Sequence, residues 1–346
     1  MQIFCHLSNV KIASMFKLFI FLLSGVFSCQ SCSEQPDLPD MDEYEYNKSQ
    51  IIADHRIVND FRKIPDYYLN EVKKMMVGFA GESHSEAYRV GMKLLESEHP
   101  SFRSNISAEE GYTDQYLRVN INPSTGEEQW FTWYAYPSGS RPLAATTIKN
   151  LIKRYFDRGH PLHVLGFAWC YDMQNSEPTD AADPEYEVRW RGDSKGGPQG
   201  DLQWGLDAED FTITSNHVCL DTYIDATQEY IDYCIINGYP TKIVFTTGTV
   251  DSFASDYGYQ AHLKNERIRN YVATDTTRIL FDYADILCFD DNGKQTTRNW
   301  NGHTYPFVTS VNLGDRKIGH IGSAGAIRLA KAQWWMLARI AGWDGK

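Results

Sequence analysis

Residues 75–86, which read MMVGFAGESHSE, decide the fold class. The short apolar run Met75–Ala80 stops at Gly81, and a helical pattern of apolar residues follows from Ala87 to Leu95. A short apolar run that ends at a glycine and leads into an amphipathic helix is typical of a buried parallel strand. The stretch therefore predicts a strand–turn–helix unit that places Ser83 in the turn.

The same alternation continues through the rest of the chain. We predict helices at 144–157, Asp221–Ile236, Gln260–Tyr271 and Ala324–Ile340, and strands at Leu162–Cys170, Lys242–Thr247 and Arg278–Phe281. Strands that alternate with helices indicate a three-layer α/β/α sandwich with a mostly parallel, flavodoxin-like sheet. Two insertions interrupt the pattern: an aromatic segment at 112–138, read as a hairpin or an edge addition, and a loop at 174–216 that is rich in Asp, Gly and Pro.

The first 28 residues are expected to be a secretory signal, with Met15 as an alternative start of translation. Lys17 precedes the apolar run Leu18–Leu23, which is too short for the roughly 20 residues of a membrane-spanning helix. Residues 26–29 resemble the lipobox of bacterial lipoproteins, and by that resemblance Cys29 is the lipidated residue, with Cys32 as its rival. We expect an acidic tether at 29–54, one folded domain at 55–346, and a lipid anchor in the membrane at the periplasmic or cell surface.

Composition excludes some partners. The chain has 346 residues with 33 Lys and Arg against 45 Asp and Glu, a net charge of −12, and no basic run that would track phosphates, so nucleic acid is not an expected partner. The seven cysteines do not supply the two closely spaced pairs of ligands that a zinc site needs. The run Asp290–Gly293 lacks the continuation of a calcium-binding loop. We expect no metal and no cofactor.

Ser83 has two readings from the residues alone. Ser83 and Glu86, three positions later, form the pattern of a capping box at the start of a helix. A serine between a strand and its helix also lies where ligands bind in open α/β sheets, close to the positive end of the helix. The spacing by itself favours the cap.

Three segments, taken in order, resemble blocks of the SGNH (GDSL-type) hydrolase family. Gly81–His84 is similar to the first block, with Glu82 in place of the usual aspartate, and Gly248–Asp251 is similar to the third. His320, just before the last helix, stands where the family's histidine stands. The resemblance implies an exported serine ester hydrolase that acts on a small ester or an acylated polysaccharide, with acetyl as the expected acyl group.

The resemblance also implies roles for individual residues. Ser83 would be the nucleophile, His320 the base and Asp315 the residue that orients His320, with Ser83 and His320 within hydrogen-bond reach at the carboxyl edge of the sheet. Gly166 and Gly248 are the candidates for the oxyanion hole, and Asp251 and Trp169 for substrate contacts. His303 is a second candidate base.

The chain departs from the family at two places. Val250 replaces an asparagine that donates to the oxyanion, and Lys317 occupies the position of the aspartate three residues before the histidine. The alternative function is therefore a non-catalytic, glycan-binding lipoprotein on the same frame. At a loop position, Val250→Asn would leave stability nearly unchanged and raise turnover.

Overall fold

The computed structural model describes residues 50–81, 83–106, 111–120, 133, 144–169, 188–189, 218–250 and 256–346. After a 3₁₀ helix at His55–Lys63, the α-helices are α1 Asp66–Lys73, α2 Ser85–Glu98, α3 Ala144–Asp157, α4 Leu220–Asn237, α5 Asp256–Ala273, α6 Tyr283–Cys288, α7 Ser310–Leu313 and α8 Ser323–Ile340. The strands are β1 Ile52–Ala53, β2 Met76–Gly81, β3 Ser104–Asn105, β4 Leu117–Asn120, β5 Val164–Ala168, β6 Val188–Arg189, β7 Val218–Cys219, β8 Lys242–Thr246, β9 Ile279–Phe281, β10 Thr297–Trp300 and β11 His303–Pro306.

The central sheet has seven strands in the order β1-β9-β8-β5-β2-β4-β3, and every pair in it is parallel. Without the two short edge strands β1 and β3, the order is β4-β2-β5-β8-β9. That is the 2-1-3-4-5 order of a flavodoxin-like sheet. The predicted fold class is confirmed.

Alternate residues of the strands enter two separate apolar cores. In β5, Val164 and Ala168 belong to the core that α2 and α8 cover, whereas Leu165 and Phe167 belong to the core that α3 and α4 cover. Because both faces of the strand are buried, its sequence is continuously apolar rather than alternating. The three layers follow directly from this two-sided burial.

The folded part begins earlier than residue 55, where the predicted tether ends. Ile52 and Ala53 form β1 and pair with Leu280 and Phe281 of β9. The Gln50 side chain donates hydrogen bonds to the carbonyl oxygens of residues 272, 275 and 278. The expected tether is therefore too long at its carboxyl end, because an isolated two-residue strand carries almost no sequence signal.

The insertions are only partly described. Leu117–Asn120 is a parallel strand between β2 and β3 and not an arm of a hairpin. Of the 174–216 loop, the structure describes Val188–Arg189, which pairs in parallel with Val218–Cys219. A hairpin that was not predicted forms from β10 and β11. Among the helices of the described residues, none combines the length and the apolar character needed to cross a bilayer.

Gly166 occupies a crowded position in the middle of β5. It pairs with Phe79 of β2 on one side and Val244 of β8 on the other. A Cβ atom at Gly166 would lie 2.7 Å from the ring of Phe79, which is buried and stacks on Tyr88 with the ring centroids 4.6 Å apart. The glycine is therefore needed for packing between the sheet and α2.

We predict that Gly166→Ala lowers the free energy of unfolding by about 1–3 kcal/mol, because the added methyl group overpacks a filled core. Denaturant unfolding measures the change. In the same background, Phe79→Leu should restore part of the loss by removing the clashing ring atoms. An unchanged unfolding midpoint for Gly166→Ala would contradict the packing described here.

Candidate active site

The turn between β2 and α2 lies at the point where the strand order reverses. From β2 the chain continues to β4 on one side, while β5 lies on the other side and pairs Ala168 with Gly81. Crevices at such switch points, outside the carboxyl ends of the strands, are where open α/β sheets bind ligands. Ser83 follows β2 by two residues and is half-buried in this turn.

The structure brings Ser83 and His320 together. The Oγ atom of Ser83 is 2.8 Å from Nε2 of His320, within the range of a hydrogen bond. Both side chains are half-buried, so the pair is accessible from solvent. A hydroxyl that donates to a neutral imidazole is the arrangement that activates a serine nucleophile.

His320 is held in a tight two-residue turn. Ile318 and Ile321 exchange both backbone hydrogen bonds, at 2.9 and 3.1 Å, and leave Gly319 and His320 as the central residues. Their φ angles are +52° and +66°, the left-handed pair of a type I′ turn. A left-handed φ is uncommon for a residue with a side chain, and this strain fixes the direction in which the imidazole leaves the backbone.

Gly319 is required for close approach to α2. A Cβ atom there would lie 2.6 Å from the carbonyl oxygen of Ser83 and 2.9 Å from the amide nitrogen of Ala87. The backbone of the histidine turn therefore packs directly on the first turn of α2. This contact sets the distance between the two residues of the pair.

Ser83 and Glu86 do not form the capping box that their spacing suggests. Helix α2 begins at Ser85 with His84 at the N-cap, and no side chain caps it there. The amide of Glu86 donates to the backbone carbonyl of Ser83 at 3.1 Å, while the Ser83 hydroxyl faces His320. The Glu86 carboxylate accepts a hydrogen bond from the Gly319 amide at 3.0 Å.

His84 is a further part of the site that the sequence did not single out. Its side chain is 1% exposed, and its ring centroid lies 4.9 Å from that of His320 and 6.1 Å from that of Tyr283. The imidazole forms the inner wall beside the Ser83–His320 pair. The sequence could have pointed to His84 only through its position directly after Ser83.

The structure does not bring Asp315 to His320. The Asp315 side chain is 55% exposed and forms an ion pair with Lys317 at 3.1 Å. Hydrogen bonds from the Lys317 side chain and amide hold the pKa of Asp315 below its ordinary value. Because the turn at 318–321 reverses the chain after Asp315, the predicted orienting carboxylate points to its neighbour instead.

The predicted oxyanion donors are engaged elsewhere. Gly166 lies inside β5, two residues before the end of the strand, and its role there is the packing described above. The Gly248 amide donates to Oδ1 of the buried Asn265 at 2.8 Å. Both assignments are therefore wrong, since a resemblance of short motifs cannot show which amides the fold itself uses.

Two other predicted positions are part of the core. Trp169 is buried, and its indole N–H donates to the carbonyl oxygen of Thr246 at 3.0 Å, so it is not available to stack on a sugar. Val250 is 9% exposed and packs in the core beside α2 and α8.

His303, the second candidate base, stacks on Tyr259 with the ring centroids 4.4 Å apart. Asp251 and Cys29 lie outside the described residues.

A buried ionic network supports the carboxyl ends of β8 and β9. The Arg269 guanidinium binds both carboxylate oxygens of Asp282, at 2.6 and 2.7 Å, and Glu266 at 2.6 Å. Burial alone would raise the pKa of Asp282, but Arg269 and the hydrogen bond from Thr247 hold it below its ordinary value. The network joins α5 to the residues that follow both strand ends.

Among the described residues, one cluster has the atom types of a metal site. The ligand-type atoms of Asp54, His55 and Asp285 lie within 4.8 Å of one another. These groups are already bonded within the protein, since Nδ1 of His55 is 2.7 Å from Asp285 and Asp54 binds the side chain of Arg56. The arrangement is a hydrogen-bonded network that needs no ion.

The comparisons with known proteins add little. No protein-family model and no curated protein matches the chain. One solved structure with a similar course of the chain is a protein from Desulfitobacterium hafniense, provisionally described as a lipolytic protein of the G-D-S-L family. It has 9% identity and a TM-score of 0.35, over 77% of this chain and 99% of that chain. A likeness at this TM-score carries no argument about the site.

The burial of Val250 changes what is expected of Val250→Asn. An amide that enters an apolar core without a partner costs about 1–3 kcal/mol, so we predict a lower free energy of unfolding and no gain in turnover. Val250→Leu is the control, because leucine is similar in size to asparagine but apolar. It should lower the free energy of unfolding by less. A Val250→Asn protein as stable as the wild type would show that this side chain faces solvent.

Proposed function

We propose that the protein is a serine ester hydrolase in which Ser83 is the nucleophile and His320 the general base. The observation that carries the proposal is the 2.8 Å contact between Ser83 Oγ and His320 Nε2 at the switch point of the sheet. The order of the motifs that resemble the SGNH family supports the same reading.

The chemistry follows the order usual for such a pair. His320 Nε2 accepts the hydroxyl proton as Ser83 Oγ attacks the ester carbonyl. The same nitrogen then donates this proton to the leaving alcohol. The resulting acyl-enzyme is attacked by a water molecule whose proton His320 accepts. When the intermediate collapses, the proton returns to Ser83, and the carboxylic acid is released.

The oxyanion needs donors other than Gly166 and Gly248. The first amides of a helix lack intrahelical partners and form its positive end, and the start of α2 lies directly after Ser83. Thr249 is a second candidate, because it follows β8 at the same edge of the sheet. Its side chain is 1% exposed, and its hydroxyl has no hydrogen-bond partner within the described residues.

The substrate class is inferred from the family resemblance and from the expected export. The resemblance to SGNH hydrolases favours small acyl esters, and an exported protein would meet acetyl groups on polysaccharides. A generic acetyl ester and an acetylated polysaccharide, assayed side by side, separate these two cases. Binding of the polysaccharide without turnover of either substrate would favour the glycan-binding alternative.

We predict that Ser83→Ala and His320→Ala each abolish turnover of a generic acetyl ester, since loss of either partner of such a pair can cost up to about 10⁶-fold in kcat. His303→Ala is the matched control and should retain wild-type kcat, because His303 is stacked on Tyr259. Turnover that survives in Ser83→Ala, or is lost in His303→Ala, would overturn the assignment.

We also propose that the protein is exported and anchored through an acylated cysteine, for which the pattern at residues 26–29 is the support. If Cys29 is the site, Cys29→Ser with Cys32 intact should move the protein from the membrane fraction to the soluble fraction. Unchanged partition of a variant that lacks both cysteines would rule out the lipid anchor.

A further inference from the structure

The carboxylate of Glu86 links the two arms of the candidate active site. Its oxygen accepts the hydrogen bond from the Gly319 amide at 3.0 Å, one residue before His320. The amide of Glu86 itself donates to the carbonyl oxygen of Ser83 at 3.1 Å. A single residue of α2 thus contacts the backbone on both sides of the Ser83–His320 pair.

The two hydrogen bonds that close the histidine turn do not use the Gly319 amide. The turn is closed by Ile318 and Ile321, which use each other's amide and carbonyl groups. The amide of the first central residue takes no part in that closure. Glu86 supplies the acceptor for this amide. The histidine turn is therefore held against α2 by this hydrogen bond and by the close packing at Gly319.

A carboxylate suits this position for two reasons. A hydrogen bond to an ionised acceptor is stronger than a neutral one. Glu86 is also the second residue of α2, where a negative charge is stabilised by the positive end of the helix. The side chain is exposed, so the contact is in competition with water, and its effect is modest rather than decisive for folding.

We propose that Glu86 is a positioning residue for His320: it holds the turn at Gly319 so that the imidazole stays within hydrogen-bond distance of Ser83. This proposal rests on the proposed function, because it assigns to Glu86 a role in the same reaction. In this chain Glu86 then takes over, through the backbone, part of the task that Asp315 does not perform. It does not touch the substrate.

The test compares Glu86→Ala with Glu86→Gln in the full-length chain. In Glu86→Ala we expect kcat for a generic acetyl ester to fall by about tenfold with little change in KM, as for the loss of one charge-assisted hydrogen bond. Glu86→Gln keeps an oxygen acceptor but loses the charge, so it should restore part of the loss. Glu98→Ala, which removes an exposed carboxylate from the far end of α2, should leave kcat unchanged.

Hydrogen exchange at the Gly319 amide gives a readout that does not depend on activity. Exchange should be fastest in Glu86→Ala, intermediate in Glu86→Gln and close to the wild-type rate in Glu98→Ala. If Glu86→Ala does not fold, the rate in Glu86→Gln still decides, because exchange there at the rate of an unprotected amide would overturn the role of the oxygen acceptor.

The two proposals fail in different ways. A wild type that turns over esters, together with wild-type kcat in Glu86→Ala, overturns the positioning role and leaves the hydrolase intact. Equal loss in Glu86→Gln and Glu86→Ala overturns it as well, since Glu86→Gln keeps the oxygen acceptor that is proposed to hold the Gly319 amide. A wild type that turns over no ester overturns the hydrolase, and the positioning role with it, whatever the exchange rate at Gly319.

Discussion

The hydrogen bond between Ser83 and His320 joins residues that are 237 positions apart in the chain, and most of the fold lies between them. It can form only if the β2–α2 turn and the turn before α8 meet at one edge of the sheet. The packing of α8 on α2 brings about that meeting: both helices cover the same face, and Gly319 lets the histidine turn lie against the backbone at Ser83 and Ala87. The distance of 2.8 Å is a consequence of helix packing as much as of the two side chains.

The elements around this pair are held in place by further buried contacts. Overpacking at Gly166 would push on Phe79 and, through Tyr88, on α2. The ion pair between Arg269 and Asp282 joins the ends of β8 and β9 to α5 without taking part in the site. Removing one partner of such a buried pair is costly, because it leaves a charge without compensation. Buried contacts outside the Ser83–His320 pair therefore hold the carboxyl edge of the sheet in place.

Much of the fold could be predicted because its signals are local. Helix α3 has the predicted bounds, 144–157, and α4 and α8 differ from the predictions by one residue at most at each end. These elements are long, strongly periodic and bounded by strands with continuous apolar sequence. The two-residue strands β1 and β3 lack any such pattern, since pairing with a neighbour and not local sequence creates them. The β10–β11 hairpin did carry a signal, the dipeptide Asn301-Gly302, whose φ angles are +48° and +87°.

For the site, the sequence predicted the pair and not its surroundings. Ser83 and His320 were found through the order of the motifs that resemble the SGNH family, because the spacing at Ser83 alone favours a helix cap. Gly248 and Trp169 were misplaced because their hydrogen-bond partners, Asn265 and Thr246, are set by the three-dimensional fold. Asp315 was misplaced because it pairs with Lys317, only two residues away. Glu86 was visible as half of a capping box, but its true partner, the Gly319 amide, lies 233 residues away.

The account depends on Ser83 being a nucleophile activated by His320, and reaction with a fluorophosphonate tests this most directly. The reagent forms a stable covalent adduct with an activated serine and needs no knowledge of the natural substrate. The account predicts one adduct per chain, found by peptide mass analysis on Ser83, and none when His320 is replaced by alanine. An adduct on another serine, or labelling of Ser83 that is as fast without His320 as with it, would contradict it.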